Sequence, residues 1–371
     1  VTFLDIEVDY NPEMGFAGSF NPYAPINAIS MFHEHQQRMV VIAVPPPDGK
    51  TWTAETLAEA CNAILPIPSE YKIDYYVVPT ERDLLWQMIE EIKDSDLLCG
   101  WNSDFFDFPY IAKRMEIALG KKSLRSLSFP GAEMPVFKEI EVMNNVQLKL
   151  EISGRMLADY MQLYKKYEMS QQPSYKLESI SNIVLVDRKT KEPMLPKLHY
   201  EGTLADLYVK DFAFFIRYNI RDSEILHGFE QRLGYVELAN QMYHLSGGLF
   251  QHVGGTLKLA ELAIVNYCHH TLKKVVNNSK MPEIDASIDG AYVLLPQIGQ
   301  HRWIGSIDIN SLYPSSIRSI NISPETLRGQ FTTNKAAAQA IATRADVELT
   351  LELEDGTVFS KSALEWRDWL S

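Results

Sequence analysis

The first apolar run of this 371-residue chain, Thr2-Phe-Leu-Asp5-Ile-Glu7-Val8, carries two carboxylates two residues apart. In an extended strand residues i and i+2 face the same way. Asp5 and Glu7 therefore project together from a segment that Phe3, Leu4, Ile6 and Val8 mark for burial. An exposed strand face is the plainer reading of an Asp-x-Glu triplet. The apolar neighbours favour another, because buried like charges are costly unless a cation neutralises them. Two further apolar runs, Ile26–Phe32 and Met39–Val44, predict strands beside the first. Alternating helix and strand signals follow, which restricts the fold to an α/β layer architecture.

Length predicts two to three domains. The formal charge of −13 argues against a protein that coats nucleic acid non-specifically, since phosphate repels it. It leaves room for a nucleic-acid enzyme whose acids hold metal. Cys61, Cys99 and Cys268 are too widely spaced for a zinc or disulfide pattern and suit a reducing compartment. No apolar stretch approaches the ~18 residues of a membrane span. The chain opens Val-Thr-Phe-Leu-Asp5, with no initiator Met and no signal-type segment, and is expected to be a piece of something longer.

The spacing predicts helices over Thr53–Leu65 and Thr80–Lys93, each capped by its threonine, and over Pro109–Leu119, ended by Gly120. Strands are predicted at Tyr71–Val78 and Leu97–Gly100. Ser123–Pro135 reads as irregular. Phe137–Val142 and Val146–Ile152 flank Asn144-Asn145 as a β-hairpin. Helices are then expected at Met156–Met169, Leu177–Leu185, Leu204–Gly234 with a break, Tyr235–His244 and Thr256–Val276. Gly247-Gly248 and Gly254-Gly255 read as hinges. Strands are expected at Ala291–Leu295 and Trp303–Ile309, a helix near Pro314–Ile320, an alanine-rich helix beyond it, and an acidic hairpin over Val347–Phe359. His33-x-His35 reads as a solvated strand edge. The basic clusters Lys121-Lys122 with Arg125, Lys165-Lys166 and Arg188–Lys191 read as solvated faces, although Tyr164 and Tyr167 leave a single-strand track open at the second.

Two further acidic features join the first. Asp107 follows a short strand and precedes the proline of a helix start, where an N-cap role competes with a functional one; Asp104 is a weaker competitor and Asn102 a turn residue or phosphate donor. Tyr218 and Asp222, four apart, share one helix face, where a phenol beside a carboxylate can orient a water. Asp5, Glu7, Asp107 and Asp222 are thus four carboxylates on three separate elements of one α/β layer. Such a set can hold two hard divalent cations, Mg²⁺ or Mn²⁺, in the arrangement nucleases and polymerases use for phosphoryl transfer.

These residues resemble the three exonuclease motifs of the family B DNA polymerases. Asp5-Ile-Glu7 is similar to the first, Asn102-x3-Phe106-Asp107-x-Pro109-Tyr110 to the second, and Tyr218-x3-Asp222 to the third. The run Asp308-Ile-Asn-Ser-Leu-Tyr-Pro-Ser-Ser-Ile317 resembles polymerase motif A. Its continuation, Asn321 to Phe331, with Leu163–Tyr167, Pro173–Ser179 and Gly290–Val293, is most similar to the replicative polymerases of T-even-type tailed phages.

The resemblance implies an RNase H-like exonuclease domain, a mixed sheet flanked by helices, at residues 1–234. A helical connector would follow at 235–279 and an incomplete α+β palm carrying motif A at 280–371. It implies proofreading: two-metal 3′→5′ hydrolysis of the terminal phosphodiester of DNA, on single-stranded 3′ ends and primer-template. Asp5, Glu7, Asp107 and Asp222 would be metal ligands, Tyr218 would position the water, and Asn102 and Phe106 would meet the DNA end. Asp308 would bind a polymerase metal, Ser311 and Leu312 would lie against the triphosphate, and Tyr313 would exclude a 2′-hydroxyl. The resemblance also implies the cytoplasm (the host's, if viral), no membrane, and a remaining polymerase segment or sliding clamp as partner. Neither the finger motif with its triphosphate-binding lysine nor the Asp-Thr-Asp motif occurs. The chain alone is therefore expected not to polymerise. Two other classes stay open, half of a split polymerase and a non-catalytic interaction module.

Overall fold

The computed structural model describes residues 1–9, 13–15, 17–47, 49–66, 70–142, 145–250, 255–276, 293–323, 326, 329–331, 340–341, 343, 347–353, 356–363 and 365–366. The chain forms two compact units, Val1–Lys280 and Met281–Ser371.

The first unit is built on a six-stranded mixed sheet. Its strands are β1 (Thr2–Val8), β2 (Ile26–His33), β3 (Arg38–Ala43), β4 (Lys72–Val77), β5 (Leu97–Gly100) and β8 (Met156–Asp159), in the order β4-β3-β2-β1-β5-β8. β2 runs antiparallel to both its neighbours, β1 and β3, whereas β4, β5 and β8 join their neighbours in parallel. Both faces are covered, so β2 is buried along its whole length and reads as a continuous apolar run.

One face packs on α1 (Ala54–Ile64), α4 (Tyr160–Tyr167), α5 (Leu177–Val184), α6 (Leu204–Lys210), α7 (Phe212–Leu233) and α8 (Tyr235–Ser246). The other packs on α2 (Glu81–Glu91), α3 (Asp107–Leu119) and the hairpin of β6 (Val136–Val142) and β7 (Asn145–Glu151). Thr53 and Thr80 cap α1 and α2 as the sequence predicts, accepting from Thr56 and Asp83 backbone N–H groups. α9 (Thr256–His270) follows α8 and ends six residues before the predicted Val276. Gly247, at φ +65°, is the left-handed cap of α8, so this glycine ends a helix.

α7 is the element that matters most. It crosses β1 and β2 and is buried on nearly every side, which is why its 22 residues show no clean amphipathic stripe. Serine hydroxyls replace apolar packing at the crossing. Ser30 Oγ lies 2.7 Å from Ser223 Oγ and donates to the Asn219 carbonyl at 2.9 Å.

Five expectations are corrected. Met156–Asp159 is a strand at the sheet edge, with the helix starting only at Tyr160; Asp159 ends one and caps the other, so the apolar run reads through. Part of the irregular Ser123–Pro135 stretch belongs to a 3-10 helix over Lys121–Leu127. His33 is buried, its Nδ1 2.9 Å from Thr2 Oγ1 and its Nε2 4.0 Å from Glu91, because β2 is an interior strand. In the second unit neither Trp303–Ile309 nor Val293–Leu295, the described part of the other expected strand, forms a strand: those residues are exposed and have no strand neighbour among the described residues.

The second unit also contains α10 (Leu312–Ser319) and a three-stranded antiparallel sheet of β9 (Gly329–Phe331), β10 (Glu348–Leu353) and β11 (Val358–Ser362). Leu349, Leu351 and Trp366 form a small core there. β10 and β11 are the predicted acidic hairpin. Asn144, Gly254, the start of Ala291–Leu295 and most of the alanine-rich stretch lie outside the described residues.

Candidate active site

β1 presents Asp5 and Glu7 on the face that α7 crosses, and α7 supplies Asp222. One carboxylate oxygen from each can be chosen so that all three lie within 4.8 Å of one another. Burial, then the charges of Asp222, Glu7 and Asp107, push the Asp5 carboxyl well above its ordinary range. Burial and Asp222 push Glu7 up to about 8. Burial also raises Asp222, against the pull of the Lys197 ammonium. Asp107 is the first residue of α3, after Phe106 in the cap position, so it is not an N-cap. It is buried, burial pushes it up to about 7, and its charge is felt at Asp5 and Glu7, but it stands outside the tight trio.

A repulsive group of this kind needs positive charge. Lys197 supplies it at close range, its Nζ 2.7 Å from Asp222 Oδ2 and 4.7 Å from the centre of the Tyr218 ring, and the charge of Arg221 also favours the ionised Asp222. Burial pulls that ammonium down, but Asp222 and Tyr218 more than offset it and hold Lys197 charged. Burial and Asp222 push the Tyr218 phenol up to about 12, so it keeps its proton. The donor set is all oxygen and acidic, and Asp222 Oδ1 is buried without a hydrogen-bond partner. These features fit a hard divalent cation.

Tyr218 and Lys197 open onto a cleft of about 750 Å³, lined also by Trp101, Asn102, Tyr175 and Lys176. Asn102 sits at φ +59°, its N–H donating to Asp159 Oδ1 at 2.9 Å. Trp101 Nε1 donates to the Tyr175 carbonyl at 3.0 Å, tying the loop after β5 to the segment before α5. Gly100 makes this loop possible: a Cβ there would meet Ser103 Cβ at 2.7 Å and the Leu4 carbonyl at 3.1 Å. Phe106 is half-buried against Tyr110, with ring centres 5.3 Å apart, and does not line the cleft.

Sequence reasoning missed Lys197, which directly follows Pro196 in a coil and carries no periodic signal. It also missed Asn219, whose signal was a polar residue between Tyr218 and Asp222 on a helix otherwise buried all round. Asp308, Ser311, Leu312 and Tyr313 lie in the second unit, at or just before the start of α10, and all are exposed. Among the described residues Asp308 joins no group of metal-binding side chains.

Two family models match the chain: the exonuclease domain of family B DNA polymerases over residues 1–180, and the DNA polymerase family B model over residues 259–363. The chain belongs to the family B DNA polymerases. Its first match spans β1, α3 and the cleft loop, so Asp5, Glu7 and Asp107 fall within the family's exonuclease domain. It is 32% identical to the DNA-directed DNA polymerase of Enterobacteria phage T4 over 285 residues, 76% of this chain and 30% of that protein. It is 30% identical to that of Escherichia phage RB69 over 339 residues, 89% of this chain and 36% of that protein. DNA polymerase 1 of Pyrococcus abyssi matches at 28% over 261 residues, 68% of this chain and 31% of that protein. The chain thus spans about a third of the length of these curated relatives. Among the described residues no helix is long and apolar enough to cross a membrane.

Proposed function

We propose that this chain is the proofreading part of a replicative polymerase, removing nucleotides from the 3′ end of single-stranded DNA by metal-dependent hydrolysis. One observation carries the reading: three carboxylates converge within 4.8 Å beside a cleft that also offers a lysine, a tyrosine and exposed polar groups. Asp5, Glu7 and Asp222, with Asp107 at the margin, would hold Mg²⁺ or Mn²⁺. Bound divalent ions would supply activation of water and stabilisation of the leaving 3′-oxygen. The phenol of Tyr218 would orient the attacking water, and Lys197 would keep that phenol and Asp222 in place while drawing in the scissile phosphate. Asn102, and Phe106 behind it, would hold the unpaired DNA end. Trp101 and Tyr175 offer faces on which an unstacked base can lie.

In the same reading residues 1–234 form the exonuclease domain, 235–279 a helical connector, and 280–371 an incomplete palm. Asp308, Ser311, Leu312 and Tyr313 would belong to a polymerase site completed by other residues, and the chain alone would not polymerise. A longer polymerase, primer-template DNA and a sliding clamp would be its partners, in the cytoplasm of an infected host cell.

The test is a 5′-labelled single strand incubated with the protein and Mg²⁺. A ladder shortening from the 3′ end, abolished by chelator, is expected. Products cut internally or from the 5′ end would contradict the reading.

A further inference from the structure

The side chain of Asn219 is fully buried, one residue from Tyr218 and three from Asp222. It faces neither the cleft nor solvent. Its Nδ2 donates to Asp5 Oδ2 at 2.8 Å and approaches the Asp5 backbone carbonyl at 3.3 Å. Its own carbonyl oxygen, Oδ1, has no hydrogen-bond partner. A buried amide left half satisfied is costly, and the half that is satisfied is the half that touches Asp5.

The surroundings make this contact rigid. Asp5 pairs with Ser30 in the β1–β2 register, and Ser30 Oγ donates to the backbone carbonyl of Asn219 itself. Ser223, one turn on, donates back to the Ser30 carbonyl at 3.2 Å. Helix and sheet are therefore pinned together at the residue pair that carries Asp5. Neither end of the amide contact can drift independently of the other. A carboxylate has roughly four lone-pair sites. The amide occupies one and fixes the plane of the group, leaving the others for a cation.

We infer that Asn219 is a positioning residue for the metal site: it orients the Asp5 carboxylate toward Glu7 and Asp222 and so sets the affinity for divalent cations. The inference rests on the reading of that trio as a metal site. Groups that hydrogen-bond a metal ligand commonly alter affinity by about 10–100-fold when removed, and that is the size of effect expected.

The experiment is Mn²⁺ binding by calorimetry at about pH 7.5, on wild type, Asn219→Leu and Asn219→Ala, with melting in chelator measured in parallel. Leu keeps the volume without a donor; Ala avoids any crowding. Wild type should bind Mn²⁺, and both variants should bind it at least about tenfold more weakly while melting within a few degrees of wild type. A folded variant that binds Mn²⁺ within twofold of wild type would overturn the positioning role and leave the metal site standing. Loss of the fold in both variants would also overturn it, making Asn219 a packing residue. A wild type that binds no Mn²⁺ would instead remove the metal-site reading, and this inference with it.

Discussion

Glu7 costs the metal-free protein stability, and the cost depends on pH. Its carboxyl is pushed from 4.5 to about 8 by burial and Asp222. The folded state therefore holds a proton that the unfolded chain releases above about pH 4.5. Stability from this group is intact at low pH and is lost progressively as pH rises from about 4.5 through about 8. At roughly 1.4 kcal/mol per tenfold, that interval amounts to about 5 kcal/mol as an upper bound. In a unit of this size 1 kcal/mol moves the melting temperature by about 2–4 °C. Glu7→Gln, which cannot ionise, should raise the melting temperature in chelator at pH 8 by on the order of 10 °C, with the gap closing near pH 5. Adding Mn²⁺ at pH 8 should stabilise wild type far more than Glu7→Gln, since a cation relieves the same repulsion. Scanning fluorimetry at the two pH values, with and without Mn²⁺, makes the comparison. A Glu7→Gln variant that melts at or below wild type at pH 8 in chelator would refute the reasoning, because the buried charge would then not be a burden.

Tyr218→Phe should slow single-strand digestion less than Asp222→Ala, since the phenol only orients water; equal collapse in a single-turnover assay would contradict that division. The hairpin of β6 and β7 packs on α3, the helix that begins at Asp107, and we propose that it helps separate the strands of a duplex end: deleting it should impair digestion of duplex ends and spare single strands, and a parallel loss on both substrates would count against that role. An Asp222→Ala chain given primer-template, Mg²⁺ and all four nucleotides should extend nothing, because Asp308 joins no group of three or more metal-binding side chains among the described residues and nucleotidyl transfer needs two metals held together. Extension by a few nucleotides would refute the incomplete-palm reading.

The carboxylates were legible because strand and helix periods are local. Asp5 and Glu7 share a face through the two-residue repeat, and Tyr218 and Asp222 through the helical turn. The Ser30–Ser223 interlock ties α7 to β2, the strand paired with β1, through two small polar residues 193 apart that carry no pattern. Lys197 was invisible for the same reason: its role comes from a coil folded back on α7. The strand over Met156–Asp159 was hidden by its length, four residues flowing directly into α4 through a shared aspartate. Trp303–Ile309 failed in the other direction. Its residues favour a strand, but a strand exists only by pairing, and among the described residues none lies beside it. His33 read as an edge residue because a polar turn follows it; β2 lies inside the sheet and buries it.

The central claim is that these carboxylates act together as one metal-dependent hydrolytic site. Its most direct test is the rate at which Asp5→Ala and Asp107→Ala degrade a single-stranded oligonucleotide in Mg²⁺, with circular dichroism showing both folded. Losing one such group should cost roughly a hundredfold or more, about 2.7 kcal/mol of barrier. Either variant keeping more than about a tenth of the wild-type rate, a loss below roughly 1.4 kcal/mol, would contradict the account.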